Sequence, residues 1–239
     1  MNPLFRKPRT ISNKNRTIIL YSSIVPRMTE EQRLNRRRTV TDATIRLIVR
    51  DGVAQVAMSD IITESGLSAG AIYSHFESKD EILASVVERA LTVVTAKVHA
   101  LTQRHALPNP KVVVDSLVPE LGTPDDAKAL VQIWGHMATE PQLAPLVTDH
   151  VASLQESLRH YATAWLTENG VADETSHALL GELFMALGQA RVVQCSFSPP
   201  FESPRFLDAI DALCAAFVLT HSKTTRPDTN QEAPIGERS

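Results

Sequence analysis

Between Asp60 and Leu83 the chain reads DIITESGLSAGAIYSHFESKDEIL, and the side chains best suited to attack, donate or accept gather there. Two chemistries compete for the stretch. Gly66-Leu-Ser-Ala-Gly70 is a formal G-x-S-x-G, the pattern that holds a nucleophilic serine at a sharp strand-to-helix turn. Such a turn needs a strand before Ser68 and an oxyanion loop upstream. Here DIITES interleaves charges with apolar residues and no HGGG-type run occurs, so an enzyme is not expected. The second chemistry is anion binding. Tyr73, Ser74, His75 and Lys79 supply O–H and N–H donors at the end of a short helix, which suits phosphate oxygens. The eight histidines and the two cysteines, Cys195 and Cys214, show no metal or redox spacing. No metal or cofactor is expected, and the cysteines are read as small buried residues.

Glycine and serine punctuation sets the local frame for those donors. A short helix around Ser59 to Ser65 breaks at Gly66, and Ser68 caps a second one running through Phe76. Ile61 and Ile62 face Leu67 and Ile72 across the turn, which makes a helix-turn-helix. Its second helix is of a size to enter a major groove. Upstream, Val40, Ala43, Thr44, Leu47 and Ile48 form one apolar stripe at helical spacing, ended by Asp51-Gly52. The Arg36-Arg37-Arg38 run is either a solvated helix face or, beside such a motif, a phosphate contact. Downstream, Ser78 and Glu81 form a capping box that opens a long helix towards Gln103.

Beyond that point proline and glycine divide further helical blocks. Pro110, Pro124 and Pro141 each precede one, and Asn169-Gly170 ends another. Asp173-Glu174 opens a helix to about Cys195, and the last begins at Ser203 or Pro204. Nine glycines in 239 residues and 5% aromatics are poor material for hairpins and strands. The expected fold class is all-α, with about nine helices and no strand. No apolar run is long enough to cross a bilayer, and a cytoplasmic setting is the default.

Charge is uneven. Residues 1–90 carry 14 Lys and Arg against 10 Asp and Glu, whereas residues 91–239 carry 10 against 17. A polyanion is therefore expected to meet the N-terminal part. Residues 1–27 hold six basic residues, no acidic ones and three prolines. They are expected to be a disordered basic arm or to precede the true start. Immediately after Met28, Thr29 and Gln32 form a capping box.

The segment VTDATIRLIVRDG followed by SDIITESGLSAGAIYSHFESKDEIL resembles the N-terminal domain of the tetracycline-repressor (TetR) family, over roughly residues 34–90. The resemblance implies a helix-turn-helix DNA-binding domain over residues 28–84. It also implies a larger helical effector-binding and dimerisation domain over residues 85–221, before a disordered tail at 222–239. Ala69, Gly70, Ala71 and Ser74 would then face base edges. Ser59, Ser68, Tyr73, His75 and Lys79 would bind phosphates, joined by Arg38 from the arginine run. Two departures from the family pattern stand out. Val56-Ala57-Met58 replaces the usual Thr or Ser, so Ser59 is expected to cap a late-starting helix, and Ile62 stands where the family prefers Ala.

The implied partners are double-stranded operator DNA, a second copy of the chain and a small-molecule effector, with no membrane. The expected function is a repressor that a small apolar or amphipathic ligand releases from its operator. The alternative is an effector-independent helical DNA-binding or interaction protein. Candidate pocket residues are Gln132, Trp134, His136, Met137, Trp165, Phe184 and Met185, large apolar groups with isolated polar ones. For the dimer interface, Phe206, Ile210, Leu213 and Phe217 make one apolar stripe, and Leu179, Leu183 and Leu187 a matching one.

Overall fold

A computed structural model describes residues 9–13, 16–20, 29–197 and 204–222. Two compact units divide the chain, Met1–Arg37 and Arg38–Ser239. In the first, β1 (Arg9–Asn13) pairs antiparallel with β2 (Arg16–Leu20), in register from Arg9 opposite Leu20 to Asn13 opposite Arg16. Ten residues of the expected arm thus pair as a hairpin, and the rest of residues 1–27 lie outside the described residues. What the charge count hides is local propensity, because Thr10, Ile11, Thr17, Ile18 and Ile19 are β-branched. The same unit holds the start of α1 (Glu30–Asp51). There the Thr29 hydroxyl accepts from the Gln32 amide at 3.2 Å and the Gln32 side chain accepts from the Thr29 amide at 3.1 Å. The expected capping box is formed.

In the second unit, the predicted stripe of α1 is the buried one: Val40, Ala43, Thr44, Leu47 and Ile48 have essentially no exposed surface. Helices α2 (Met58–Ser65) and α3 (Ala69–Tyr73) follow, then α4 (Lys79–Thr102) and α5 (Pro110–Leu121). Helix α6 (Pro124–Thr139) leads through a 3-10 turn at Pro141–Leu143 into α7 (Ala144–Glu168), α8 (Glu174–Phe197) and α9 (Pro204–His221). The described residues thus carry nine helices besides the hairpin, an all-α architecture. None of those helices is long and apolar enough to cross a membrane. The expected tail lies almost wholly outside the described residues.

Two hydrophobic cores organise this unit. The first joins α1, α2, α3 and the N-terminal half of α4 to Ala127, Leu130 and Ile133 of α6. The second gathers Val94, Val98 and Leu101 of α4 with α5, α7, α8 and α9, around Tyr161 and Phe184, whose ring centroids lie 5.6 Å apart. Helix α4 therefore runs through both, and Leu91 touches each. Glycine permits a close approach of α8 to α7. A β-carbon on Gly181 of α8 would meet the Arg159 Cα of α7 at 3.0 Å.

Candidate nucleic-acid interface and ligand cavity

The helix-turn-helix is built from caps inward. Gly66 takes a left-handed conformation (φ 68°) that a side chain would strain, and its amide donates to the Thr63 carbonyl. The Ser68 hydroxyl accepts from the Ala71 amide at 3.2 Å and opens α3. Ile61 and Ile72 are fully buried beneath the turn, with Ile62 and Leu67 packed partly over them. The start of α2 corrects the sequence reading. Ser59 is not the cap: the helix begins at Met58 after Ala57, whose amide donates to the Asp60 carboxylate at 2.9 Å. Asp60 thus supplies the half of a capping box that satisfies the amide of the residue before the helix, without a side-chain cap from that residue itself. Helix α3 is also shorter than expected, ending at Tyr73 rather than Phe76, because Phe76 turns inward and is buried.

This leaves one outward face. Ser68, Ala69, Gly70, Tyr73 and Ser74 are exposed, Tyr73 to 51%, while Ala71 and His75 are half-buried. The Ser74 hydroxyl donates to the Ala71 carbonyl at 2.8 Å, so it meets a partner chiefly as an acceptor. The Lys79 ammonium donates to the Val53 carbonyl at 3.4 Å, tying the start of α4 to the loop before α2. Two of its three N–H groups remain for other acceptors. Ser59 and Arg38 are both exposed. Arg46 and Arg50 of α1 are turned to structure: both reach Glu64 of α2, at 2.7 and 3.5 Å, and Arg50 also pairs with Asp51 at 2.8 Å. The hydrogen bond from Arg46 holds the Glu64 carboxyl below its usual range.

A cavity of about 230 Å³ opens where the two hydrophobic cores meet. Val87, Leu130, Val147 and Val192 of the first core and Val94, Leu117, Leu158 and Phe184 of the second share its wall. Of the candidate pocket residues, Trp134, Met137, Phe184 and Met185 line it. Gln132, His136 and Trp165 do not, for two physical reasons. On α6, Leu130, Trp134 and Met137 recur at i, i+4 and i+7, so residues 132 and 136 fall off that face. Gln132 instead binds the other way, accepting from the Val53 amide at 3.1 Å and donating to the Ile48 carbonyl at 3.2 Å. Trp165 is buried inside the second core. The sequence reading missed Gly188 and Gln189, because neither belongs to the large apolar types by which a pocket is usually sought.

The supposed interface stripe is also divided. Ile210 is only 2% exposed and belongs to the chain's own second core. Phe206, Phe217, Leu183 and Leu187 pack partly against the same core. Leu213 (43%) and Leu179 (55%) are the members largely left open. The reason is that α9 lays its strongest apolar face on α5, so an intrachain partner covers what looked like a face for a second copy.

Comparison with known proteins agrees with this geometry. Residues 40–86 match the bacterial regulatory proteins of the tetR family. The HTH-type transcriptional regulator PksA of Bacillus subtilis (strain 168) is 29% identical over 99 residues, 41% of this chain and 48% of that protein. An HTH-type transcriptional regulator of Haemophilus influenzae is 35% identical over 57 residues, 24% of this chain and 30% of its own. The chain thus spans at most about half the length of the curated relatives it matches. Salmonella enterica GusR shares the fold over 80% of this chain and 98% of its own, with a TM-score of 0.64 at 15% identity. Residues 40–86 thus carry the segment that defines the tetR family of bacterial regulatory proteins, and the curated relatives matched over it are transcriptional regulators.

Proposed function

We propose that the chain is a DNA-binding transcriptional regulator that works in the cytoplasm as a homodimeric repressor, released from its operator by a small apolar or amphipathic ligand. The observation that carries the DNA-binding half is the outward face of α3. Ser68, Ala69, Gly70, Tyr73 and Ser74 are exposed together above a buried Ile61–Ile72 pair. Ala69, Gly70 and Ala71 are too small for bidentate base contacts, so readout rests on thymine methyls, on Ser74 as an acceptor and on DNA shape. Ser59, Ser68, Tyr73, His75, Lys79 and Arg38 are assigned to the phosphates and set register.

The ligand half rests on the cavity and on what α6 does with its two faces. One face meets the cavity through Leu130, Trp134 and Met137. Another reaches the DNA-binding helices, through Gln132 to Ile48 and Val53 and through Asp126 to Arg89 at 3.2 Å. Arg89 in turn pairs with Asp42 of α1. An occupant that moves α6 moves the end of α1 and the approach to α2. For a hundredfold loss of DNA affinity it must favour the released conformer by roughly 2.7 kcal/mol. The cavity also weighs against the effector-independent reading, for which side chains of the chain itself should fill the space.

The test is selection of duplexes from a random pool, followed by salt titration of the tightest. Binding should fall steeply with salt, and Lys79→Ala should lower the slope of log affinity on log salt by about one. Salt-insensitive binding, or a Lys79→Ala slope equal to wild type, would show that the face is misassigned.

A further inference from the structure

Among the described residues, the walls of the cavity carry no charge. Helices α4, α5, α6, α7 and α8 all contribute, and of these lining side chains only the indole of Trp134 and the amide of Gln189 are strong hydrogen-bonding groups. The charged residues on the same helices are engaged elsewhere. Glu88 lies 3.5 Å from His150, Lys97 pairs with Glu120 at 2.7 Å, and Arg191 with Asp115 at 3.7 Å. None of these six lines the cavity. A carboxylate or ammonium drawn in among these walls would leave water and find no counter-charge, which is the costly case for an ion in an apolar interior.

Size is set partly by Gly188. A glycine in mid-helix weakens the helix, and here its missing side chain leaves wall space opposite Leu117, whose Cδ1 lies 3.6 Å from where a β-carbon would stand. An apolar cavity of about 150 Å³ takes benzene, so one of about 230 Å³ takes a molecule on the order of ten non-hydrogen atoms.

We infer that the effector is an uncharged, largely apolar molecule of about that size, with at most one polar group, and that the cavity rejects the carboxylate and the ammonium built on the same skeleton. This rests on the reading of the cavity as the effector site. Octanol, octanoate and octylammonium are matched probes, to be titrated by calorimetry into the full-length protein and into Gly188→Met, whose side chain fills the space. Wild type should bind octanol at least ~100-fold more tightly than either ion, and Gly188→Met should lose octanol. Emission of Trp134 in a Trp165→Phe background, where Trp134 is the sole tryptophan, should respond to octanol alone and needs no cavity-filling variant. Octanoate or octylammonium binding within tenfold of octanol, with Trp134 responding, overturns the neutral selectivity and leaves the cavity as the site. Octanol binding that persists in Gly188→Met with Trp134 silent, or no binding by any of the three, overturns the cavity as the site.

Discussion

The two halves of the second unit handle glycine and the polar side chain in opposite ways. Around α2 and α3 each such residue acts on its near neighbours in the chain. Gly66 turns the backbone, and Ser68 and Asp60 each bond a backbone amide three positions away. In the bundle the same residue types act over long sequence distances. Gly181 lets α8 approach α7, Gly188 opens a cavity wall, and Gln132 of α6 holds two backbone groups some 80 positions earlier. The first half is therefore specified by spacing and the second by tertiary geometry. Local roles leave a pattern in the sequence, whereas remote ones leave an ordinary residue at an ordinary helix position.

Substitutions on either side put that division under strain. The greatest change should come from Leu213→Glu. Leu213 is exposed, so the charge should leave the monomer's helical circular dichroism intact while sedimentation shows loss of the dimer. DNA affinity should fall at least ~100-fold with it, since half-site spacing needs two recognition helices. A Leu213→Glu protein that stays dimeric would move the interface off α9.

Gly181→Ala comes next. With the Arg159 backbone in the way at 3.0 Å, α7 and α8 must separate, at a cost of about 1–3 kcal/mol. Gly188→Ala on the same helix should act with the opposite sign. Its β-carbon meets only Leu117 at ordinary contact distance, and helix stiffening should add about 0.5–1 kcal/mol. Thermal unfolding of the pair settles both, and an equal loss of stability in the two would contradict the separate roles given to these glycines. Gln132→Ala should cost about 1–3 kcal/mol by leaving the Val53 amide and the Ile48 carbonyl without a partner. It should also weaken the effect of ligand on DNA binding more than it weakens DNA binding itself, measured as the ratio of operator affinities with and without ligand.

A weaker effect concerns charge. Between residues 28 and 90 acidic residues outnumber basic ones ten to eight, so the basic balance of the first ninety residues comes from the six cations before Met28. Starting the chain at Met28 should leave the melting temperature unchanged and reduce affinity for nonspecific duplex at low salt. A fall of several degrees would show instead that these residues pack on the rest.

Legibility follows the same line. The α1 stripe, the turn at Gly66 and the capping serines are readable because each is a requirement on consecutive residues. Cavity membership is not: Trp134 and Trp165 are the same residue on amphipathic helices, one lining the space and one filling a core. Periodicity gives a helix its apolar face but does not say what covers it. Ile210 therefore reads as an interface residue and is a core one. The Ala57–Asp60 cap is hidden because Asp60 sits where a charged surface residue would also sit.

Helix α4 threads both cores without interruption, and its 24 residues make it a rod about 36 Å long. Its start is fixed at Lys79 to the loop before α2, and its middle borders the cavity at Val87 and Val94. A rod pivoting by roughly 5° about one end carries the other through ~3 Å at this length, comparable to the rise of two residues of helix. On the proposed function, a lever with its fulcrum near the cavity gives half of that at α3, so an occupant would spoil the spacing of two grooves without unfolding anything. Removing one turn of α4 between the cavity and Lys79 would draw α3 about 5 Å along the helix axis with little rotation.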